Sequence, residues 1–408
     1  MRVVGLVLSP AEGAFSNDDQ AAIRAGASRD GFAFEGSPVT PGFRRIRQPA
    51  TAISVMLVLE DGAVVTGDGV AVQYAGVGGR EPLRSADELR RLHEPELRDA
   101  LVGIEVSSFR ESAEALAALP PPLLLRYGVS QALLGAAAHC TRRTVAEVVA
   151  AEYQTGAPLR EIAIFAQSGE DRQVAVDRMV LREVDELPHG LINNIKLVGE
   201  NGGRLLDYVA WVRDRVSALR ESDGYLPVLH FDCYGTIGQV FPDLDRAAGY
   251  LARLGEAAAP LTLRIEQPVD AGSRDLQIAT LARLRSALER DGSDVQLVAD
   301  EWCNTRRDVE AFVASGCVHM VQVKMPDLGS LDEAIRALLT CREYGVAAYC
   351  GGSCTETERS GQICAGVAMG VDADVVLARP GMGVDEAVMV VRNEMRRTRA
   401  LIEARSVA

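Results

Sequence analysis

The sequence predicts an α/β protein: a (β/α)8 barrel over residues 159–408, preceded by an α+β domain over residues 1–158. Three observations carry this. From residue 161 onward, short apolar runs alternate with amphipathic helical stretches, the rhythm of parallel strand–helix units. Eight such pairs fit into the roughly 250 residues that one barrel of this kind needs. Finally, LHFDCYG, LRIEQP, LVADEW and VQVKMP each close an apolar run on a charged residue: Asp232, Glu266, Asp300 and Lys324. The three acids stand 34 residues apart in each case, about one strand–helix unit. Their strand ends should therefore return to one face.

The elements follow in order. Residues 2–8 read as a strand, and the polar stretch 17–37, with its DG and EG turn signals, as a loop with a short helical piece. Apolar runs at 53–60 and 63–73 flank Asp61-Gly62, a strong hairpin signal. The glycine-rich QYAGVGGREP, residues 73–82, follows that hairpin. A dinucleotide fingerprint needs a parallel strand before it and a helix opening at it, so this segment reads as a loop covering a neighbouring site. Helices are expected at 85–101, 109–119 and, after Pro120-Pro121-Pro122, at 128–153; His93 and His139 on them read as surface or packing residues. Barrel strands are expected at 162–167, 186–190, 226–232, 261–266, 295–301, 319–324, 346–351 and 374–379, with 191–195 as an alternative second strand. Helices between and after them include 205–219, 276–289, 330–344 and 384–404.

Composition narrows the function. A net charge of −14 with no basic run argues against a nucleic-acid or anionic-membrane partner. No run approaches membrane-spanning length, and the apolar start lacks a basic leader pattern, so a cytoplasmic enzyme is expected. Eight scattered cysteines without a CxxC pair read as reduced thiols. The chain has 41 arginines but only two lysines, Lys196 and Lys324. Lysine, unlike arginine, can give up its proton, a chemical reason for Lys324 to be lysine.

Active sites of such barrels lie at the C-terminal strand ends. Those ends carry Gln167, His189, Asp232, Glu266, Asp300, Gln322, Lys324, Ser353, Cys354 and Leu377. Each acid could cap the helix that follows it, but so polar a set would make a poor core. Three crowded carboxylates repel one another unless a cation lies between them, and oxygen ligands suit a hard ion such as Mg²⁺. A cation beside an amine suits removal of a proton next to a carboxylate: lysine takes the proton while the cation stabilises the growing charge. A leaving group on the adjacent carbon can then depart.

LHFDCYGTIG, RIEQP, ADEWCNT, VQVKMPDLG and YCGGSC, with FAQSGEDR and LPHGLINN upstream, resemble the 3-methylaspartate ammonia-lyases of the enolase superfamily. The likeness includes DGFAFEGSPVTPGF and QYAGVGGREP and runs along nearly the whole chain. It implies a modified TIM barrel under an α+β capping domain, a homodimer, and Mg²⁺ with K⁺ as activator. The implied reaction is reversible loss of ammonia from 3-methylaspartate to give mesaconate. Asp232, Glu266 and Asp300 would be the metal ligands, and Lys324 the base toward the (2S,3S) substrate. His189 would serve the other C3 epimer from the opposite face and contact substrate. Gln167, Gln322 and Cys354 would position carboxylate and amine, with Gln73 reaching in from the cap. Phe165, Tyr349 and Leu377 would wall the methyl pocket. Ser353 stands where the family pattern has threonine, which keeps the hydroxyl donor but loses a methyl.

Two rivals frame this reading. Another enolase-superfamily reaction (cycloisomerisation, dehydration or racemisation) often uses a K-x-K motif on the second barrel strand, whereas here that region has only Lys196. A silent metal-binding scaffold would have no need of a deprotonatable lysine. Cys354 reads as a contact thiol rather than a nucleophile, and His230 and His319 as packing or backbone-bonded residues.

Overall fold

The structure, a computed structural model, describes residues 1–77, 80–119, 121–378, 381 and 383–407. An antiparallel sheet opens the chain, ordered Val3–Asp18, Arg47–Leu59, Val64–Val70. Its first strand is far longer than the expected 2–8, because Arg47–Leu59 supplies backbone partners out to Asp18. The 17–37 stretch holds the short helix Gln20–Arg24 and a two-residue hairpin, Arg29–Asp30 with Ala33–Phe34. Helices Ala86–Leu101 and Phe109–Ala117 start on Ser85 and Ser108, whose side chains accept from the backbone of Glu88 and Glu111.

The expected long helix at 128–153 is two helices, Leu123–Thr141 and Val145–Glu152. Arg142 takes a left-handed conformation, and a Thr144–Glu147 capping box starts the second. Leu123–Thr141 packs directly on the sheet: a Cβ on Gly67 would stand 2.3 Å from the Gly128 carbonyl oxygen. Only glycine permits that approach.

Eight parallel strands close the barrel in the order expected: Ala163–Phe165, Glu186–His189, Val228–Asp232, Leu263–Glu266, Gln296–Ala299, Met320–Lys324, Ala347–Gly351 and Val375–Leu377. The second strand is the 186–190 choice rather than 191–195. Arg379, at the end of the last expected strand, lies outside the described residues, as do Gly78 and Gly79 of the glycine-rich segment. Glu358–Val371 is buried nearly all round, whereas other outer helices bury one face. Leu244–Ala258, capped by Asp243, turns Ala247, Tyr250, Leu251 and Leu254 inward at helical spacing. Among the described residues, no helix is long and apolar enough to cross a membrane.

Candidate active site

Strand alternation decides which side chains enter the barrel. Phe165, Val298, Met320, Tyr349, Val375 and Leu377 pack together as an apolar inner layer. Below it, Arg264 donates to Glu186 and to Gln296, at 2.5 and 3.0 Å. Above, registers set Asp232 beside Glu266, Glu266 beside Val298, and Gln322 beside Tyr349.

Asp232, Glu266 and Asp300 are buried, and each brings a carboxylate oxygen to within 4.8 Å of the others. Lys324 Nζ lies 2.8 and 3.0 Å from the two Asp300 oxygens. Burial, with repulsion from Glu266, pushes the Asp232 carboxyl well above its ordinary range; burial and Asp300 do the same to Glu266. The cluster thus calls for positive charge, and its oxygen donors fit a divalent cation. Burial works to strip Lys324 of its proton, but the Asp300 carboxylate outweighs it and holds the ammonium charged.

One cavity at the barrel mouth is lined by Gln73, Gln167, His189, Asp232, Asp300, Gln322, Lys324, Ser353, Cys354 and Leu377. His189 Nε2 stands 3.4 Å from Asp232, and burial, with the nearby charge of His230 and Lys324, keeps its pKa well below the usual value. Gln167 lays its amide nitrogen 3.2 Å from His189 Nδ1 and 3.8 Å from Cys354 Sγ. Gln322 donates to Glu266 at 3.0 Å, and the Tyr349 hydroxyl donates to the same carboxylate at 2.8 Å. Phe165, Tyr349 and Glu266 are fully buried beneath the cavity. Burial drives the Cys354 thiol up to about 12, so it stays protonated, as a contact residue would.

Backbone strain marks the same rim. His189, Tyr234, Gln267 and Trp302 all have positive φ, 64°, 49°, 46° and 67°, at or just past the ends of strands two to five. Such conformations cost energy and gather where the surroundings hold them, commonly at functional sites.

The sequence reading left out Tyr74, Arg80, Tyr234 and Glu301, which also line the cavity. Tyr234 and Glu301 follow Asp232 and Asp300 by two and one residues, and that adjacency was the available signal. Tyr74 and Arg80 belong to the glycine-rich segment. Arg80 reaches from that segment to a buried ion pair with Asp327 at 3.0 Å, just past the sixth barrel strand.

His319 accepts from the Leu297 backbone at 2.9 Å, as expected. His230 differs: besides stacking on Phe165 at 4.4 Å, its Nδ1 lies 2.5 Å from Glu186 Oε1. Its Nε2 stands 2.8 Å from Glu266, though not aligned for a hydrogen bond. Burial opposes the Glu186 charge, but His230 and Arg264 more than offset this and hold its carboxyl below the ordinary range. A lowered folded-state pKa stabilises the fold above the unfolded value, and that stability is lost as pH falls through the folded value. Glu186→Gln should therefore cost about 3 kcal/mol near pH 7 by stranding its buried partners. Urea unfolding should show the gap to wild type closing as pH drops below about 4.3; a gap constant with pH would contradict the pairing.

A closed parallel barrel with buried acids and a lysine at its C-terminal strand ends, joined to a separate antiparallel sheet at the N-terminus, defines the class as a (β/α)8-barrel protein. The L-Ala-D/L-Glu epimerase from Bacillus subtilis shares this fold at a TM-score of 0.66 and 15% identity, over 95% of this chain and 92% of that one. Family models narrow the class: residues 1–154 match the methylaspartate ammonia-lyase N-terminus and residues 157–404 its C-terminus. The methylaspartate ammonia-lyase of Clostridium tetanomorphum is 45% identical over 412 residues, 99% of this chain and 100% of that one. A solved structure described as beta-methylaspartase from the same organism, a Mg complex, gives a TM-score of 0.94 at 45% identity, covering 99% of this chain and 100% of that one. A Citrobacter amalonaticus methylaspartate ammonia lyase structure, described as containing (2S,3S)-3-methylaspartic acid, gives 0.96 at 44% identity, covering 99% of this chain and 100% of that one. This chain belongs to the methylaspartate ammonia-lyase family and is an enzyme.

Proposed function

We propose that the enzyme reversibly eliminates ammonia from 3-methylaspartate to give mesaconate, with Mg²⁺ held by Asp232, Glu266 and Asp300. The observation that carries this is the convergence of Asp232, Asp300 and Lys324 on one cavity, with the buried Glu266 bringing a carboxylate oxygen to within 4.8 Å of both acids from beneath it. Bound there, Mg²⁺ would stabilise the second negative charge that builds on the substrate carboxylate and offset the acids that hold Lys324 protonated.

Lys324 takes the C3 proton of the (2S,3S) substrate. The electron pair of that C–H bond forms the C2=C3 double bond, and the C2–N bond breaks with its electrons leaving on nitrogen. Lys324 and His189 end the sixth and second strands of an eight-strand ring, so they stand across it from one another. Neutral His189 is thus placed to accept the proton of the opposite C3 epimer. Gln167, Gln322, Ser353 and Cys354 orient the carboxylates, and Gln73 reaches in from the cap toward the amine. Leu377 walls the methyl group, with Phe165 and Tyr349 packed beneath.

Division at residues 158/159 into capping domain and barrel, K⁺ activation, a homodimer and a cytoplasmic setting belong to the same proposal and rest on the family resemblance. Mixing the enzyme with Mg²⁺, K⁺ and (2S,3S)-3-methylaspartate should raise ultraviolet absorbance from the new conjugated double bond and release one ammonia per double bond formed. No rise, together with turnover of a diacid lacking the amine, would defeat this reading.

A further inference from the structure

We propose that Arg47, outside the cavity, is a positioning residue for the amine: with Asp18 it fixes the amide of Gln73. This rests on the lyase reading above. Arg47 and Asp18 form a buried bidentate pair, Nε to Oδ1 at 2.8 Å and Nη2 to Oδ2 at 2.7 Å, with side chains 6% and 2% exposed. The guanidinium also donates to the Phe32 carbonyl at 2.9 Å and reaches Glu170 at 3.3 Å. Three rings, Phe15, Phe32 and Phe34, stand 5.0, 4.5 and 5.0 Å from it. The fork, the backbone acceptor and the aromatic cage together suit arginine and no other cation.

Asp18 passes this rigidity on. Its Oδ2 accepts from Gln73 Nε2 at 3.1 Å, and its backbone N–H donates to the Gln73 carbonyl at 3.0 Å. A carboxylate only accepts, so the nitrogen of the Gln73 amide is turned toward Asp18. Its side-chain oxygen is left for the cavity that Gln73 lines. An acceptor there suits an amine or ammonia.

Running the reaction backward separates the two substrates. Arg47→Lys keeps a charge but loses the fork, and should raise the KM for ammonia about tenfold, with the KM for mesaconate changed less than about twofold. On a Gln73→Ala background the same substitution should change little, since its effect runs through that amide. Asp18→Asn, which frees the amide to turn, should give the same ammonia-selective rise and decides the matter should Arg47→Lys not fold. Equal rises in both KM values, an unmoved ammonia KM in Asp18→Asn, or effects that multiply with Gln73→Ala would overturn the proposal. Wild type that fails to aminate mesaconate would overturn the lyase reading and this inference with it.

Discussion

Lys324→Ala enzyme is expected to turn over (2S,3S)-3-methylaspartate at least about 10³-fold more slowly than wild type, in the upper range for loss of a general base, while binding Mg²⁺ undiminished. The reason is local. Lys324 is the only lysine on the cavity, and its ammonium pairs with Asp300 rather than with bulk solvent. Removing it leaves the Asp300 oxygens free for a cation, so metal affinity has no cause to fall. Lys324→Arg should be as inactive as the alanine variant, since a guanidinium keeps its proton. Steady-state rates beside a Mg²⁺ titration check both halves. Near-wild-type turnover in either variant would remove Lys324 from the role of base.

Asp232→Ala should raise the Mg²⁺ concentration for half-maximal rate by more than the roughly 10–100-fold typical of losing an outer-shell partner. Asp232 is buried and repelled by Glu266, so its charge is tolerated only where a cation shares it. It also stands 3.4 Å from His189, so the variant should depress turnover of the opposite C3 epimer even at saturating Mg²⁺. Rate measured against Mg²⁺ for both epimers checks this; an unchanged half-maximal concentration would take Asp232 out of the metal site.

Much of the barrel was legible because parallel strands buried on both faces read as apolar runs, and a charge ending such a run stands out. Asp232, Glu266, Asp300 and Lys324 were visible in that way. The layer beneath was not. Glu186, His230 and Arg264 lie on three different strands, and only their register brings them together. The same holds for Arg47, whose partners Asp18 and Glu170 sit 29 and 123 residues away. The strand over Val3–Asp18 outran its prediction because its polar second half is held by cross-strand pairing rather than by its own pattern. The break at Arg142 did have a local signal, the T-x-x-E capping box at Thr144, which the alanine-rich pattern around it obscured.

The claim on which the rest depends is that these strand ends hold one divalent cation between three carboxylates. Calorimetric titration of Mg²⁺ into wild type and into the single variants Asp232→Asn, Glu266→Gln and Asp300→Asn tests it most directly. One site in wild type, weakened in all three variants, is the predicted result. A wild-type isotherm kept by any two of them would contradict it.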